Sequence, residues 1–323
     1  MWKINIQLQY TTSKNMSKYM DRKNPQFLSP QLKQSGGHMI MTNVQKPSKT
    51  KLINIDTKFQ EEYNNSLLAS ITYNIPQQIH DVKCISVPFM EIPYSFYNFS
   101  QQKGNTSFIV TDNSANSEHV FTISDGQYTT SSLVTDLASS FSSAQLGISI
   151  VEENNKAKIT VSSGNHYSFY WNVSVTNNDT DYDKTKLKSR LGWYLGFREP
   201  VYELDASDGG DVSILSEAII NIHTTNYVFL VLDEFQNHPN SFLSPLSDSY
   251  INKNILARMQ VENHHAFGDM ITGSIWTNLV SDRRKYEHKT DIYKLKLQLV
   301  DEWGTLLDLN YLDFSVVLEV EYE

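Results

Sequence analysis

The sequence predicts an all-β sandwich with two short helical insertions and an extended N-terminal arm. Three observations carry that expectation. From Lys51 to the C-terminus, short segments rich in Val, Ile, Thr, Phe and Tyr recur, several with two-residue alternation. Only two stretches show helical spacing, too few to place a helix between successive strands as a parallel α/β fold requires. Charge, finally, is split along the chain: residues 1–50 carry Lys3, Lys14, Lys18, Arg22, Lys23, Lys33, Lys46 and Lys49 against Asp21 alone, a net +7, while the rest sums to −16.

The arm, residues 1–50, opens on Met1–Tyr10, where Trp2, Ile4, Ile6, Leu8 and Tyr10 alternate with polar residues. Pro25, Pro30, Gly36, Gly37 and Pro47 then interrupt regular structure. There is no secretory h-region and no apolar run of the ~20 residues that span a bilayer. The segment reads as a basic extended arm that becomes ordered against a partner, its eight basic residues forming the binding element. A loose N-terminal tail is the plain alternative.

Candidate strands in the body (51–323) are Lys51–Asp56, Ser66–Ile75, Val82–Met90, Ser107–Thr111, His119–Ser124, Ile148–Val151, Lys158–Ser162 and His166–Thr176, followed by Ile214–Ile222, Tyr227–Asp233, Asn254–Val261, Ile271–Thr277, Ile292–Val300 and Phe314–Tyr322. Thr129–Ser143 is the first helix, with Leu133, Val134, Leu137 and Phe141 on one face. Lys184–Phe197 is the second, with Leu187, Leu191 and Leu195 four apart and Gly192 and Gly196 weakening it. Polar loops at Asn177–Asp183 and Asp205–Asp211 are the natural division points. Strands continue on both sides without a change of composition, so a single elaborated sandwich is expected. Leu295, Leu297 and Leu299, a turn at Asp301–Gly304, and Phe314, Val316, Leu318 and Val320 predict a terminal strand pair with an acidic outer face of Glu319, Glu321 and Glu323.

Composition narrows the function classes. The chain has 323 residues, a formal charge of −9, 38 aromatics and one cysteine. That points to a soluble, folded chain of intracellular origin and excludes a disulfide framework and paired-cysteine zinc sites. It also argues against whole-surface nucleic-acid binding, so no specific nucleic-acid partner is expected. Asp179, Asp181 and Asp183 alternate like the start of a calcium loop, but Lys184 and Arg190 occupy the positions that need Gly and a bidentate acid. Asp233, Glu234, His238, His264 and His265 lack metal-ligand spacing, and adjacent strand histidines point apart. Cys84 reads as a strand cysteine packed as a small hydrophobe. No nucleophile elbow, P-loop or dinucleotide fingerprint is present. No catalytic residue, cofactor or metal site is expected, and sequons such as those at Asn98 and Asn172 are what a chain rich in Asn, Ser and Thr acquires by chance.

The residues then resemble a family. Asp291-Ile292-Tyr293-Lys294-Leu295, Leu299-Val300-Asp301-Glu302-Trp303-Gly304 and Asp308-Leu309-Asn310 with Asp313-Phe314-Ser315 look like the C-terminal pattern of vertex and minor capsid proteins of nucleocytoplasmic large DNA viruses. Ile53-Asn54-Ile55-Asp56, Val87–Phe99, Asn254–Arg258 and Leu195-Gly196-Phe197 are similar to the same family, and the shared order of these short motifs gives the resemblance its weight. The resemblance implies a jelly-roll capsid domain over 51–323 and no catalytic residues. It implies a penton protein in the virion, assembled in the host cytoplasm as a homopentamer at icosahedral vertices and contacting the major capsid protein and other minor capsid proteins. The long basic arm departs from the pattern; it fits an acidic neighbour or an anionic internal membrane. Two alternatives stand beside the penton: a minor capsid (cement) protein of the same shell, and a glycan-binding jelly-roll attachment protein whose surplus Tyr and Trp stack on sugars.

Overall fold

The computed structural model describes residues 31–35, 38–42, 47–60, 69–176, 179–182, 184–235, 254–261, 265–281 and 283–323. Short β-formers separated by turns give, in order, β1 (Gln31–Ser35), β2 (His38–Thr42), β3 (Lys49–Asp56), β4 (Ser70–Pro93), β5 (Ser107–Asp112) and β6 (Ser117–Thr122). Helix α1 (Thr130–Ala144) follows, then β7 (Ile148–Glu153), β8 (Lys156–Val161), β9 (His166–Tyr170), β10 (Val173–Thr176) and β11 (Asp179–Tyr182). Helix α2 (Leu191–Tyr194) leads to β12 (Val201–Asp205), β13 (Val212–Leu215), β14 (Tyr227–Asp233), β15 (Ile255–Gln260), β16 (Met270–Ser274), β17 (Leu279–Ser281), β18 (Arg284–Val300) and β19 (Ser315–Tyr322). The architecture is all-β with antiparallel ladders and two helical insertions, as the periodicity predicts, and is consistent with a jelly roll.

Residues Thr50–Tyr322 form one compact unit, and the β1–β2 hairpin belongs to another. Within the body, an eight-stranded sheet runs β17-β15-β14-β18-β4-β19-β3, with β16 also on β4. Its apolar residues alternate, so one face is buried: Ile85 and Val87 on β4, Leu230 on β14, Met259 on β15, Leu297 on β18, and Val316 and Leu318 on β19. Strand β4 is long and irregular. Its ladder with β18 shifts register three times, and Asp81 lies in the left-handed region at φ 55°.

Residues 99–222, inserted between β4 and β14, build a second core. Sheet β12-β9-β5-β6, sheet β13-β8-β7 and α1 enclose it. Helix α1 starts where expected because Thr129 caps it: Thr129 Oγ1 accepts from Ser132 N at 3.2 Å, and Ser132 Oγ accepts from Thr129 N at 2.9 Å. Leu133, Leu137 and Phe141, four apart, are its buried stripe.

Several expectations are corrected. The terminal strand pair does not form, because β4 lies between β18 and β19. With 24 residues, β4 has two edges long enough to pair with both. The segment after the Asp301–Gly304 turn crosses the end of the sheet, with Leu307, Leu309 and Phe314 closing the core. Strand β19 is therefore interior, and the acids on its outward side meet protein: Ser86 Oγ donates to Glu319 Oε2 at 3.5 Å. The predicted strands Ser66–Ile75 and Val82–Met90 belong, over the described residues, to the single strand β4, with Pro76 in a stretch where the register slips. His166–Thr176 breaks into β9 and β10, Ile214–Ile222 is strand only to Leu215, and β1, β2, β11, β12 and β17 are additional. The second helix reduces to a 3₁₀ segment, Lys184–Ser189, and the single turn α2. Gly196 at φ 99° ends it, where any Cβ would strike the Ala218 carbonyl.

Candidate functional site

The densest polar cluster sits where the chain passes between the two cores. Asn98 is buried, and its side chain fastens both crossings: Nδ2 donates to Tyr128 O at 2.8 Å and Ile222 O at 3.3 Å, and Oδ1 accepts from Tyr128 N at 2.8 Å. Its carbonyl accepts from Asn105 Nδ2 at 2.9 Å and Thr224 Oγ1 at 2.8 Å. Beside it, Lys103 Nζ donates to Tyr97 O at 2.6 Å, Thr225 Oγ1 at 3.0 Å and Thr224 Oγ1 at 3.3 Å. Burial pushes the Lys103 ammonium down to about 8, against the pull of the Asp301 and Glu302 charges. Burial likewise raises both of those carboxyls. Asp301 Oδ1 accepts from Trp303 N and Thr305 N at 2.9 Å, and Glu302 Oε2 accepts from Asn226 N at 3.2 Å. This arrangement joins two bodies of structure. Each acceptor and donor is met by backbone, hydroxyl or amide, the pattern of a structural fastening.

Elsewhere the ionisable groups are similarly engaged. Arg284, buried behind the large sheet, donates to Glu234 Oε1 at 2.7 Å and Leu232 O at 2.9 Å through Nη1, and to Asn254 O at 2.9 Å through Nη2. Tyr286 Oη donates to the same Glu234 oxygen, and burial followed by the Glu234 charge drives its phenol well above the usual range. His166 Nε2 lies 2.6 Å from Glu203 Oε1 on the exposed β9–β12 surface. Cys84 is buried as expected, but outside the aliphatic core. Its thiol faces Arg283 Nη2 at 3.3 Å and Glu321 Oε2 at 3.4 Å, and burial raises its pKa. The bulge in β4 explains this placement: Val82, Ile85 and Val87 all reach the core, and Cys84 is turned to the other side. Among the described residues no group of three His, Cys, Asp or Glu is placed to hold a metal. Asp179 and Asp181 lie in strand β11, not in a loop.

Of the eight basic residues of the predicted arm, Lys3, Lys14, Lys18, Arg22, Lys23 and Lys46 lie outside the described residues. Lys33 is in the backbone of β1, and Lys49 is exposed at the start of β3. No helix among the described residues is long and apolar enough to cross a membrane. The two sequon asparagines named above, Asn98 and Asn172, are buried, so they serve packing and not glycan attachment. Lys103 and Arg284 are not singled out in the sequence: Lys103 lies in the polar stretch Gln101-Gln102-Lys103-Gly104-Asn105 and Arg284 between Arg283 and Lys285, so no local pattern marks their burial.

The surface has two sparsely charged features. The turn between β16 and β17 projects Trp276, 88% exposed, beside Ile275, 50% exposed. Between α1 and β7 lies an open groove of about 600 Å³, lined by Val134, Ala138, Ser139, Ser142 and Val151 among others.

No protein-family model matches the chain, and no curated protein matches it. Among solved structures, the mavirus penton protein aligns at 10% identity over 85% of this chain and all of that one, with a TM-score of 0.39. A chain from the structure of the Sputnik virophage aligns at 11% identity over 86% of this chain and 98% of its own, with a TM-score of 0.40. Both are virophage chains, whereas the sequence motifs resemble proteins of nucleocytoplasmic large DNA viruses.

Proposed function

We propose that the chain is a structural capsid protein, a penton subunit that forms homopentamers at the vertices of an icosahedral virion of a DNA virus. One observation carries this reading. The stretches that resemble capsid proteins are scattered from Ile53 to Ser315, yet most become neighbours in one sheet. Ile53–Asp56 lies in β3, Val87–Pro93 in β4, Ile255–Arg258 in β15, Asp291–Leu295 in β18, and Ser315 opens β19. Motifs that share an order along the chain and a single ladder in space fit one inherited framework.

In this reading the body, 51–323, is the jelly-roll capsid domain and meets the major capsid protein and other minor capsid proteins. The arm, through Lys3, Lys14, Lys18, Arg22, Lys23, Lys33, Lys46 and Lys49, binds an acidic neighbour or an anionic internal membrane beneath the shell, gaining affinity as it orders. Assembly takes place in the host cytoplasm. The cement-protein alternative differs only in position within the shell. For the attachment-protein alternative, whose motive is the surplus of Tyr and Trp, Trp171, Tyr128, Tyr167, Tyr194 and Tyr202 are core, while Trp276, Tyr293 and Tyr311 are exposed.

Mass photometry and negative-stain imaging of the purified full chain test the reading. Particles of five times the 37.1 kDa chain mass with five-fold class averages are expected. A chain that stays monomeric at all concentrations, or particle maps that place it away from the five-fold axes, would overturn it.

A further inference from the structure

Ser-Asp-Gly occurs twice in the chain, as Ser124-Asp125-Gly126 and Ser207-Asp208-Gly209, and Asn-Gly does not occur. An aspartate before glycine can react with its own backbone, because glycine has no Cβ to shield the amide that follows the carboxyl. The two tripeptides are identical, so a difference in reactivity between them comes from the fold. The fold treats them oppositely. At the first, Asp125 Oδ1 accepts from Gln101 N at 2.8 Å. Gly126 N donates to Phe99 O at 3.0 Å, and Phe99 N donates back to Gly126 O at 3.3 Å. A Cβ at Gly126 would lie 3.3 Å from the Tyr128 ring, so the backbone there is also crowded. Both reacting groups, carboxyl and amide, are held.

At the second, both are free. Asp208, Gly209 and Gly210 are exposed in the turn between β12 and β13. Among the described residues the Asp208 carboxyl has no hydrogen-bond or ion-pair partner, and the Gly209 amide donates no hydrogen bond. Gly209 and Gly210, at φ 92° and 147°, occupy backbone regions that favour glycine, and a Cβ at either would meet nothing within 4 Å. A ring can close here without displacing a neighbour. The turn is anchored on both sides of this peptide unit. Ser207 N donates to Asp205 Oδ1 at 3.0 Å, Gly210 N to Ser163 Oγ at 3.2 Å, and Ser163 N to Asp211 Oδ1 at 3.0 Å. A change confined between those anchors leaves β12 and β13 in place.

We propose that Asp208 is a site of spontaneous covalent modification, converting to isoaspartate through a succinimide, while Asp125 is protected. The Gly209 nitrogen attacks Cγ of the protonated Asp208 carboxyl, forming an N–Cγ bond and releasing water. Water then adds to the ring. Cleavage of the new N–Cγ bond restores aspartate. Cleavage of the original bond, between that nitrogen and the main-chain carbonyl carbon of Asp208, gives isoaspartate, whose chain runs through Cβ and Cγ. No oxidant or cofactor enters, and the chemistry needs only this turn, so the proposal stands apart from the assembly reading.

The test holds the full chain for weeks at physiological temperature and pH, alone and in urea. Isoaspartate is counted in tryptic peptides, where the two tripeptides separate, by fragmentation that distinguishes the isomers. Methyl uptake from S-adenosylmethionine with an isoaspartyl methyltransferase gives an independent count. In the folded chain, conversion of Asp208 is expected to run about tenfold or more faster than that of Asp125, whose hydrogen bonds must open first. In urea the two are expected to react alike. Asp208→Glu is expected to abolish the product at its position, because the larger ring closes more slowly. Equal rates in the folded chain, a faster Asp125, or no conversion of Asp208 where the urea-unfolded chain converts would each overturn the proposal. A difference that persists in urea overturns it too, since the fold is then not its cause.

Discussion

The two cores of the body pack the same antiparallel ladders with different side chains. Among the described residues, the large sheet's core has 29 buried members, of which Phe96 and Phe314 are the aromatics. The insert's core has 24, and eleven are aromatic. Geometry explains the division. Strands of up to 24 residues let alternating Ile, Val and Leu interdigitate along one continuous face. The insert is built from strands of four to six residues, in three small sheets with two helices. Between such short elements the gaps are wide, and rings fill them. Trp171 stacks on Phe197 at 5.1 Å, Phe108 stacks on Phe121 at 5.2 Å, and Phe108 lies 4.7 Å from Trp171. An aliphatic core spreads its stabilisation over many small contacts, while an aromatic one concentrates it in a few rings.

That contrast is broken or sharpened most strongly at Trp171. Trp171→Ala removes a ring shared by Phe108, Phe169 and Phe197 and is expected to cost about 3–5 kcal/mol. Leu297→Ala, at an equally buried place in the large sheet, removes one member of a redundant row and is expected nearer the low end of about 2–5 kcal/mol. Urea unfolding of the two variants measures the difference. Equal losses would mean that the ring network relaxes like an aliphatic core, and the comparison would lose its energetic content.

A smaller effect separates the cores by stiffness. A Cβ at Gly192 would run into the Cβ and ring of Trp171, and a Cβ at Gly273 would run into the end of the Met259 side chain. The indole is wedged between other rings, so Gly192→Ala must displace backbone and is expected to cost about 1–3 kcal/mol. The thioether can turn aside, and the substitution itself removes unfolded-state freedom. Gly273→Ala is therefore expected to change stability by less than about 1 kcal/mol. Thermal unfolding that ranks Gly273→Ala as the more damaging would overturn the idea that the insert is the stiffer body.

What could be read in advance follows the same divide. Alternation placed Leu295, Leu297, Leu299, Val316, Leu318 and Val320 on buried faces, because period-two burial is local information. The spacing of Leu133, Leu137 and Phe141 gave α1 for the same reason. That β4 lies between β18 and β19 depends on partners about 200 residues apart, and no local pattern encodes it. The separate core of residues 99–222 was equally hidden, since aromatic residues were counted over the whole chain. Trp276 fell inside the predicted strand Ile271–Thr277, where alternation gives a face but cannot say that the strand ends at Ser274 and leaves the ring in solvent. Of the arm, the basic residues were legible, and their contacts belong to whatever they bind.

A pH-dependent effect lies where the two cores join. Lys103, at about 8 in the folded chain against 10.5 when free, binds its proton less tightly folded than unfolded. Below pH 8 it is charged in both states, and the full cost of burying the ammonium is present. Between pH 8 and 10.5 the unfolded chain holds more protons at this position, so its contribution to stability rises with pH across that window. Tyrosines whose phenols burial has raised, Tyr194 and Tyr227 among them, act in the opposite direction near pH 10, but they do so in any variant that keeps them. The difference between wild type and Lys103→Met therefore isolates the amine. Wild type is expected to gain on the variant steadily from pH 8 to 10.5 in chemical denaturation. A difference that stays flat would mean that water reaches the amine in the folded chain. The cores would then meet across a hydrated seam, and the fastening around Asn98 and Lys103 would hold them together without making them unfold as one.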